Sequence, residues 1–271
     1  MSSGWQWMDA RELCVEGQGW PEPDAPFCRL PARARGLVPE VVWELSRQSA
    51  GVTVRLLSDA PEIRARWEMG SEQLSARHCP LYAHSGLDLY ARTEGGVWRW
   101  VGVTRDIIGR QSESSLIGAG GTLRGGQHEY MLYLPLAQQV RHLEIGVPAG
   151  SSIRTAPGRP ERPVVCYGTS IVHGMGVSRP GMTHLAMLGR RLDYPMINLG
   201  FSGNGKMEMA VAHLLAELDA AIFIIDTVPN MTGELIAERA EPFLRFLASE
   251  RPGTPIVLVE DRTYPAGWLI P

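Results

Sequence analysis

The sequence has 271 residues, of which 44% are hydrophobic and 20% are charged, and its 26 Lys and Arg against 29 Asp and Glu leave a net charge of −3. This balance offers no basic excess for nucleic acid, and no apolar run approaches the roughly 20 residues of a membrane span. Because the N-terminus shows no signal-peptide pattern and the four cysteines form no CxxC pair, we expect a cytoplasmic protein with free thiols and neither a membrane nor a nucleic-acid partner.

The first half of the chain has the pattern of an all-β domain. Short segments rich in β-branched and aromatic residues alternate with turn-forming clusters. The candidate strands are Val52–Arg55, Glu62–Trp67, Gly86–Arg92, Val97–Val103, His128–Leu134 and His142–Val147. Many short strands separated by turns predict a β-sandwich, here a jelly-roll-like accessory domain over residues 1–150. The Gly- and Ser-rich segment Ile107–Gln127 is predicted to be a long loop.

Seven of the eight tryptophans lie in this first half. Exposed aromatic rings can stack on sugars, so a carbohydrate-binding surface is one interpretation. We prefer the interpretation that these rings pack the core of the sandwich and its ends, because large aromatic side chains are, on average, highly buried.

Beyond a linker at Pro148–Pro163, which is rich in Gly, Pro, Ser and Arg, the pattern changes. Apolar strands now alternate with helical segments. The predicted strands are Val164–Tyr167, Pro195–Leu199, Ala221–Asp226 and Pro255–Val259, and the predicted helices are Met182–Leu192, Met207–Leu218 and Glu234–Ser249. This alternation predicts a parallel sheet covered by helices, so we assign residues 151–271 to an α/β domain.

Three of the predicted strands end in residues that could carry out chemistry. Ser170 follows the first strand, Gly203 lies in a Gly-rich segment after the second, and Asn230 follows the third. Because the carboxyl ends of parallel strands share one edge of a sheet, these residues can converge. Acyl transfer needs such a set, in which a nucleophilic hydroxyl stands beside N–H donors for the oxygen that becomes negative.

The segments around these residues resemble the sequence blocks of the SGNH hydrolases, the superfamily of GDSL-like lipases and acylhydrolases. Tyr167–Ile171 matches the first block with Thr169 in the usual aspartate place, Asn198–Gly205 matches the second, and Val228–Thr232 matches the third more loosely. The resemblance covers roughly residues 163–260 and implies a flavodoxin-like domain with three layers, α/β/α. A β-sandwich before such a domain is similar to a two-domain branch of the superfamily that includes esterases and a few acyltransferases.

The resemblance also implies roles for single residues. Ser170 is the expected nucleophile, and its backbone N–H, the backbone N–H of Gly203 and the side-chain amide of Asn230 are the expected donors to the oxyanion. The superfamily takes its general base from a C-terminal D-x-x-H block, which is absent from the 271 residues. We therefore expect the chain to be a C-terminally truncated form of a longer protein.

A substitute for that base would have to come from another histidine. His173 follows Ser170 by three residues and is the first candidate. A residue so near in sequence usually points along the new helix, away from the serine hydroxyl, so a crevice-lining or capping role is the alternative. The other histidines are expected to have structural or surface roles.

Two local motifs compete with this interpretation. Gly200–Met207 fits most of a phosphate-binding loop, G-x-x-x-x-G-K-[ST], but Met207 has no hydroxyl to place on Mg²⁺. Gly168–Val172 nearly matches the nucleophile elbow G-x-S-x-G, but Val172 replaces the final glycine. Ser170 could also be only the cap of a helix, although a cap does not explain the two other blocks.

The sequence therefore predicts a serine esterase that cleaves an ester of a small acylated molecule, for example an acetylated sugar, through an acyl-enzyme. An acyltransferase that uses the same acyl-enzyme is the alternative, and a non-catalytic binding protein is a third interpretation for a chain without the D-x-x-H block. We expect no metal and no organic cofactor. The oligomeric state, the acyl group and the alcohol are left open.

Overall fold

The computed structural model describes residues 4–117, 126–261 and 268–269. Its strands are β1 (Trp5–Asp9), β2 (Cys14–Glu16), β3 (Thr53–Ser58), β4 (Ile63–Met69), β5 (Asp88–Arg92), β6 (Trp98–Val103), β7 (Gln111–Ile117), β8 (His128–Tyr133), β9 (Val140–Pro148), β10 (Ile153–Thr155), β11 (Val164–Gly168), β12 (Met196–Gly200), β13 (Ile222–Asp226) and β14 (Ile256–Leu258). Its α-helices are α1 (Glu40–Ser46), α2 (Leu81–Ser85), α3 (Ser170–His173), α4 (His184–Leu192), α5 (Met209–Ala216) and α6 (Gly233–Glu250). None of the helices in these ranges is long and apolar enough to cross a bilayer.

The first ten strands form two antiparallel sheets, as the alternating pattern predicts. One sheet has the strand order β1-β9-β4-β7, and the other has the order β10-β3-β8-β5-β6 with β2 paired to β3. Strand β4 shows why they pack face to face. Ile63, Ala65 and Trp67 are buried between the sheets, while Arg64 and Arg66 point outward. Alternate burial of this kind gives each sheet one apolar face, and the two faces close into the predicted sandwich.

One segment that the sequence predicts to be a loop is partly a strand. The prediction for Ile107–Gln127 is wrong at Gln111–Ile117, which forms β7 and pairs with β4. Two of its inward positions carry Ser112 and Ser114, which are buried and whose hydroxyls accept hydrogen bonds from backbone N–H groups of the preceding loop. Because a strand is usually recognised by apolar residues at alternate positions, serines at these positions hid it. Residues 118–125 of the predicted loop lie outside the described residues.

The second half folds as a parallel sheet with the strand order β12-β11-β13-β14. Each strand and helix predicted there begins and ends within two residues of the observed element. Helix α4 packs on one face, where Leu185 joins Cys166, and helices α5 and α6 pack on the other, where Leu215 joins Phe243. The predicted flavodoxin-like arrangement of three layers is therefore confirmed, and it places the carboxyl ends of β11, β12 and β13 side by side.

The core of the parallel sheet also contains residues from the beginning of the chain. Trp20 and Trp43, which the sequence analysis places in the sandwich, belong instead to the cluster that contains Tyr167 and Phe223. The Trp20 indole N–H donates a hydrogen bond to Glu217 at 2.8 Å. The local sequence pattern indicates that such a ring is buried. It does not indicate whether the ring lies in the core of the sandwich or in the core of the parallel sheet. The division of the chain at residue 150 stays a prediction, and the segment that carries α1 packs with the second half.

A buried arginine fixes this early segment to the end of strand β12. The Arg29 guanidinium donates to the backbone carbonyls of Gly200 at 2.7 Å and Asn198 at 3.2 Å. It also donates to the carbonyls of Leu45 at 2.6 Å and Gln48 at 2.8 Å, next to α1. Burial lowers the pKa of Arg29 to about 9, so the group remains charged at neutral pH. One side chain thus satisfies four carbonyls on two segments that are far apart in sequence.

Arg29→Lys is expected to lower the free energy of unfolding by about 2 kcal/mol, because an ammonium group has three N–H donors on one atom and cannot reach four carbonyls. Urea denaturation at pH 7 measures the change. Arg11→Lys is the control, since Arg11 is exposed and pairs with its neighbour Asp9. Equal unfolding midpoints for the two variants would contradict the role assigned to Arg29.

Candidate active site

The three segments singled out by sequence begin at one level of the parallel sheet. In the strand register Gly168 of β11 stands opposite Gly200 of β12 and opposite Asp226 of β13. The Thr169 N–H donates to the Asp226 carbonyl at 3.1 Å, and the Phe201 N–H donates to the Gly168 carbonyl at 2.8 Å. The chain therefore leaves three neighbouring strands at the same edge, and this edge carries Ser170, Gly203 and Asn230 as predicted by the topology.

Glycines allow the backbones at this edge to approach one another closely. A Cβ atom on Gly200 would lie 2.0 Å from the backbone nitrogen of His173, and one on Gly168 would lie 2.3 Å from the Asp226 carbonyl oxygen. Gly205, with φ of +72°, brings its loop back against β11, where a Cβ would lie 2.2 Å from the Gly168 oxygen. No side chain fits in these gaps, so the turn between β11 and α3 and the Gly203 loop are held in direct backbone contact.

Ser170 is the first residue of the short helix α3, which follows β11 without a connecting loop. The Thr169 hydroxyl caps this helix by accepting a hydrogen bond from the Ile171 N–H at 3.3 Å, and Gly174 ends it in the left-handed conformation at φ +97°. The Ser170 side chain is half-buried. Within the described part of the chain, its hydroxyl has no hydrogen-bond partner and is available to a substrate or a base.

Hydrogen-bond donors stand on the same edge. The backbone N–H groups of Ser170 and Gly203 bond to no acceptor among the described residues. Gly203 has a φ of +74°, and the space beside its Cα is open. Asn230 donates one amide hydrogen to the Asn204 carbonyl at 2.7 Å, which orients the amide and leaves its second hydrogen for a ligand. This set can do what an oxyanion hole requires.

His173 is buried, and both of its ring nitrogens are occupied. Nε2 lies 2.8 Å from the Leu136 carbonyl, to which it can only donate, and Nδ1 accepts a hydrogen bond from the Ser202 N–H at 3.3 Å. Burial and the nearby charge of Arg29 lower the pKa of His173 well below its ordinary value. A ring with no free lone pair and little affinity for a proton is poorly suited to be the substitute base; it links the sandwich to the Gly203 loop instead.

The other described histidines make no hydrogen bond to the Ser170 hydroxyl. His142 pairs with Glu144 on the sandwich, and the His213 ring packs on Phe246. Burial lowers the pKa of His184, at the start of α4, and the carboxylate of Asp226 opposes that shift. His184 therefore lies near the edge of the sheet that carries the site, although its sequence position in a helix indicated only a surface residue.

The segment that resembles a phosphate-binding loop packs against the protein. Met207 is buried at φ +53°. The Lys206 N–H donates to Glu208 at 3.0 Å, and the same carboxylate accepts a hydrogen bond from the Tyr167 hydroxyl. These contacts close the loop over the end of β11. A carboxylate at this position is also unfavourable for a bound phosphate.

Sequence reasoning missed two buried polar residues that hold the site. The Asn198 side chain donates to the Val172 carbonyl at 2.8 Å and accepts from the Gly200 N–H at 2.9 Å, which ties β12 to helix α3. A polar residue inside an otherwise apolar strand, as in Ile197–Leu199, was the available signal. The second residue, Asp88, lies in the sandwich.

Asp88 is fully buried and joins the sandwich to the loop that follows helix α3. Its carboxylate accepts hydrogen bonds from the Trp100 indole N–H and from the Gly181 backbone N–H, each at 2.9 Å. The Arg179 guanidinium lies 3.3 Å from the same carboxylate and stacks 4.7 Å from the centre of the Trp100 ring. The link crosses between β5 and a loop more than 90 positions later, so no local pattern could reveal it.

The pH dependence of stability should carry the signature of Asp88. Burial raises the pKa of its carboxyl to about 6, whereas an unfolded aspartate titrates near 3.9. The folded state therefore holds the proton more tightly, and this contribution to stability is complete below about pH 4 and is lost as the pH rises to about 6. As the pH rises between these limits, the free energy of unfolding of Asp88→Asn should increase by about 3 kcal/mol relative to that of the parent. Urea unfolding at a series of pH values measures this, and parallel curves for the two proteins would contradict it.

Two protein families match the chain. Residues 161–271 match the GDSL-like lipase/acylhydrolase family. Residues 5–153 match the domain described as the N-terminus of SGNH-hydrolase-type esterases. Among curated proteins, none gives a significant match.

Solved structures show the same arrangement. The chain is 35% identical to a GDSL-like lipase from Bacteroides ovatus, with a TM-score of 0.88 over 94% of this chain and 73% of that one. It is 21% identical to the salicylyl-acyltransferase SsfX3 from a tetracycline biosynthetic pathway, with a TM-score of 0.74 over 94% and 72%. A family two carbohydrate esterase from Clostridium thermocellum in complex with cellohexaose is 13% identical, with a TM-score of 0.58 over 80% and 74%. At these identities the last two show a shared fold.

Proposed function

Because the chain belongs to the GDSL-like lipase/acylhydrolase family and begins with the N-terminal domain of SGNH-hydrolase-type esterases, we propose that it hydrolyses carboxylic esters through an acyl-enzyme on Ser170. The observation that carries the proposal concerns one edge of the sheet. There the Ser170 hydroxyl and the N–H groups of Ser170 and Gly203 have no hydrogen-bond partner among the described residues, and the Asn230 amide has one hydrogen left for a ligand. These groups match the two needs of acyl transfer, a nucleophile and preorganised donors.

In the proposed reaction the Ser170 Oγ attacks the ester carbonyl carbon and gives its proton to a base. The carbonyl oxygen takes the electron pair of the broken π bond and is held by the N–H groups of Ser170 and Gly203 and by the Asn230 amide. Collapse of this intermediate breaks the bond to the alcohol, which leaves with a proton. Water then attacks the acyl-enzyme, and the carboxylic acid and the Ser170 hydroxyl are released.

In the family the base is the histidine of a D-x-x-H block, and the 271 residues contain no such block. His173, the candidate within the chain, is poorly placed for this role because its two nitrogens are engaged by Leu136 and Ser202. Without a base next to Oγ, the serine is a weak nucleophile at neutral pH. A slow reaction of the 271-residue chain, accelerated by an added base, is therefore expected.

The substrate is proposed to be an ester of a small molecule, with an acetylated sugar as the leading class. Fold likeness to carbohydrate esterases supports this choice, and the site needs no metal or organic cofactor for the steps above. Transfer of the acyl group to an alcohol other than water is the second candidate, because it needs only that the alcohol reach the acyl-enzyme before water does. Fold likeness to an acyltransferase supports it.

Trapping the acyl-enzyme tests the proposal. The protein is mixed with p-nitrophenyl acetate at low pH, quenched, digested and analysed by mass spectrometry. We expect an adduct with the mass of one acetyl group on the peptide that contains Ser170. An adduct only on other peptides, or the same adduct yield in a Ser170→Ala protein, would contradict the mechanism and favour a binding protein. Adding glycerol separates the two activities, since a transferase forms glyceryl acetate in preference to acetate.

A further inference from the structure

A cleft of about 340 Å³ lies where the sandwich meets the α/β half. Ser71 and His84 line it from the sandwich side, and Met175 and Ser202 line it from the other side. Its volume is at the lower end of the range for sites that bind small molecules. The cleft adjoins the candidate active site, because Ser202 immediately precedes Gly203 and because the Met175 N–H donates to the Ser170 carbonyl at 3.0 Å.

The hydrogen bonds of His84 fix which of its nitrogens carries the proton. The Ser85 hydroxyl donates its one hydrogen to the Leu74 carbonyl at 2.9 Å, since a carbonyl can only accept. At its 2.9 Å contact with His84 Nδ1, the Ser85 oxygen must therefore accept, so Nδ1 carries the hydrogen. Burial lowers the pKa of His84 and keeps the ring neutral. Nε2 is left with a lone pair.

That lone pair has no partner in the described part of the protein, although the His84 side chain is only 6% exposed. The Nε2 atom keeps access to the cleft that His84 lines, so water or a ligand can donate a hydrogen bond to it. Because Nδ1 is tied down by Ser85, the ring cannot turn to satisfy Nε2 elsewhere without breaking that bond.

The lining of the cleft indicates the chemistry of its ligand. None of the described lining residues is an aspartate, glutamate, lysine or arginine, and the titratable side chains there are His78, Cys79 and His84. Gln48, Gln73 and Ser202 offer amide and hydroxyl groups that both donate and accept, and Leu45 and Met175 offer small apolar surfaces. A neutral molecule with several hydroxyl groups on a carbon ring fits this mixture better than an acid, an amine or a hydrocarbon.

We propose that this cleft binds the hydroxylated alcohol part of the substrate, a sugar or a similar cyclic polyol, and that His84 Nε2 accepts a hydrogen bond from one of its hydroxyl groups. That the bound polyol is the leaving group of the reaction rests on the proposed function. Binding of the free polyol does not depend on that function. It makes the sandwich, through His84, a determinant of specificity for an active site that is otherwise built on the parallel sheet.

Titration with methyl β-D-glucoside, observed by NMR at the ring protons of His84, tests binding directly. The His84 signals should shift and saturate with the glucoside and stay in place with n-butanol, which has one hydroxyl and no ring. The signals of His142, which lies on the outer face of the sandwich, serve as the internal control. Absence of a shift at His84, or an equal shift with butanol, would overturn the proposal.

Two substitutions separate the acceptor from mere packing. Asn at position 84 can still donate to Ser85 but has no atom at the Nε2 position, whereas Gln can place an acceptor there. His84→Asn should therefore weaken glucoside binding by about fivefold, and His84→Gln should restore most of the affinity. Equal affinities for the two variants and the parent would sink the assignment of Nε2.

Kinetics distinguish this inference from the proposed function. In His84→Asn the ratio of the KM for an acetylated methyl glucoside to the KM for p-nitrophenyl acetate should be about fivefold higher than in the parent, since only the first ester has a sugar hydroxyl. If the parent shows no hydrolysis that depends on Ser170, the proposed function fails, and the NMR titration still decides whether the cleft binds the glucoside. Equal effects on both esters would count against the specificity role.

Discussion

With imidazole supplied as the base, Ser170→Ala is expected to lower kcat/KM for p-nitrophenyl acetate to the level of the imidazole background, because the substitution removes the atom that forms the acyl-enzyme. The loss should fall on kcat, since the alanine side chain leaves the binding surface almost unchanged. Initial rates over a range of ester concentrations give the two constants separately.

Imidazole serves as the base in this measurement. Added imidazole can take the proton from a serine whose histidine is missing, so the rate of the 271-residue chain should rise with imidazole concentration. Imidazole also cleaves the ester by itself, and the Ser170→Ala protein supplies that background. Ser249→Ala is the control for a serine hydroxyl outside the site, since it bonds only to a carbonyl of its own helix. A Ser170→Ala protein as active as this control would refute the nucleophile assignment.

The α/β half could be predicted closely because its signals are local. An apolar strand such as β13, which is buried on one face and half-buried on the other, ends in a polar residue, and the helices between the strands show their own period. Once three parallel strands are placed next to one another, the convergence of Ser170, Gly203 and Asn230 follows from topology. The roles of these residues came from the resemblance to a family and still await the experiments above.

The contacts that support the site could not be predicted, because each joins segments that are far apart in sequence. Arg29 reaches Gly200 across 171 positions, and Asp88 reaches Gly181 across 93. A buried charge looks like a surface residue in a sequence until the partner that satisfies it is known. His173 is the clearest case: its place beside Ser170 suggested a base, and only the positions of Leu136 and Ser202 show that both nitrogens are used.

These long-range contacts share a physical consequence. His173 joins Leu136 of the sandwich to the Gly203 loop, and Asp88 joins the sandwich to the loop after helix α3. The sandwich therefore stabilises both segments that flank the expected oxyanion site. Since preorganised donors lose their advantage when they move, we expect the sandwich to be required for the geometry of the site as well as for its specificity.

Gly200→Ala should be the most disruptive alanine substitution among the described glycines. Its Cβ would lie 2.0 Å from the backbone nitrogen of His173 and 2.5 Å from its Cα. These are backbone atoms of helix α3, so no flexible side chain can yield, and either β12 or α3 must move. We expect a loss of about 4 kcal/mol in the free energy of unfolding, measured by urea denaturation.

The same displacement should lower activity beyond what the loss of stability explains, because α3 carries Ser170 and its N–H. Folded Gly200→Ala protein, assayed well below its unfolding midpoint, is therefore expected to have a reduced kcat. Gly233→Ala is the matched control: a Cβ there meets no atom within 4 Å, and the residue opens helix α6. That variant should be as stable as the parent or more stable by up to about 1 kcal/mol. If both alanines behave alike, the close approach of β12 to helix α3 is not what holds this edge of the sheet together.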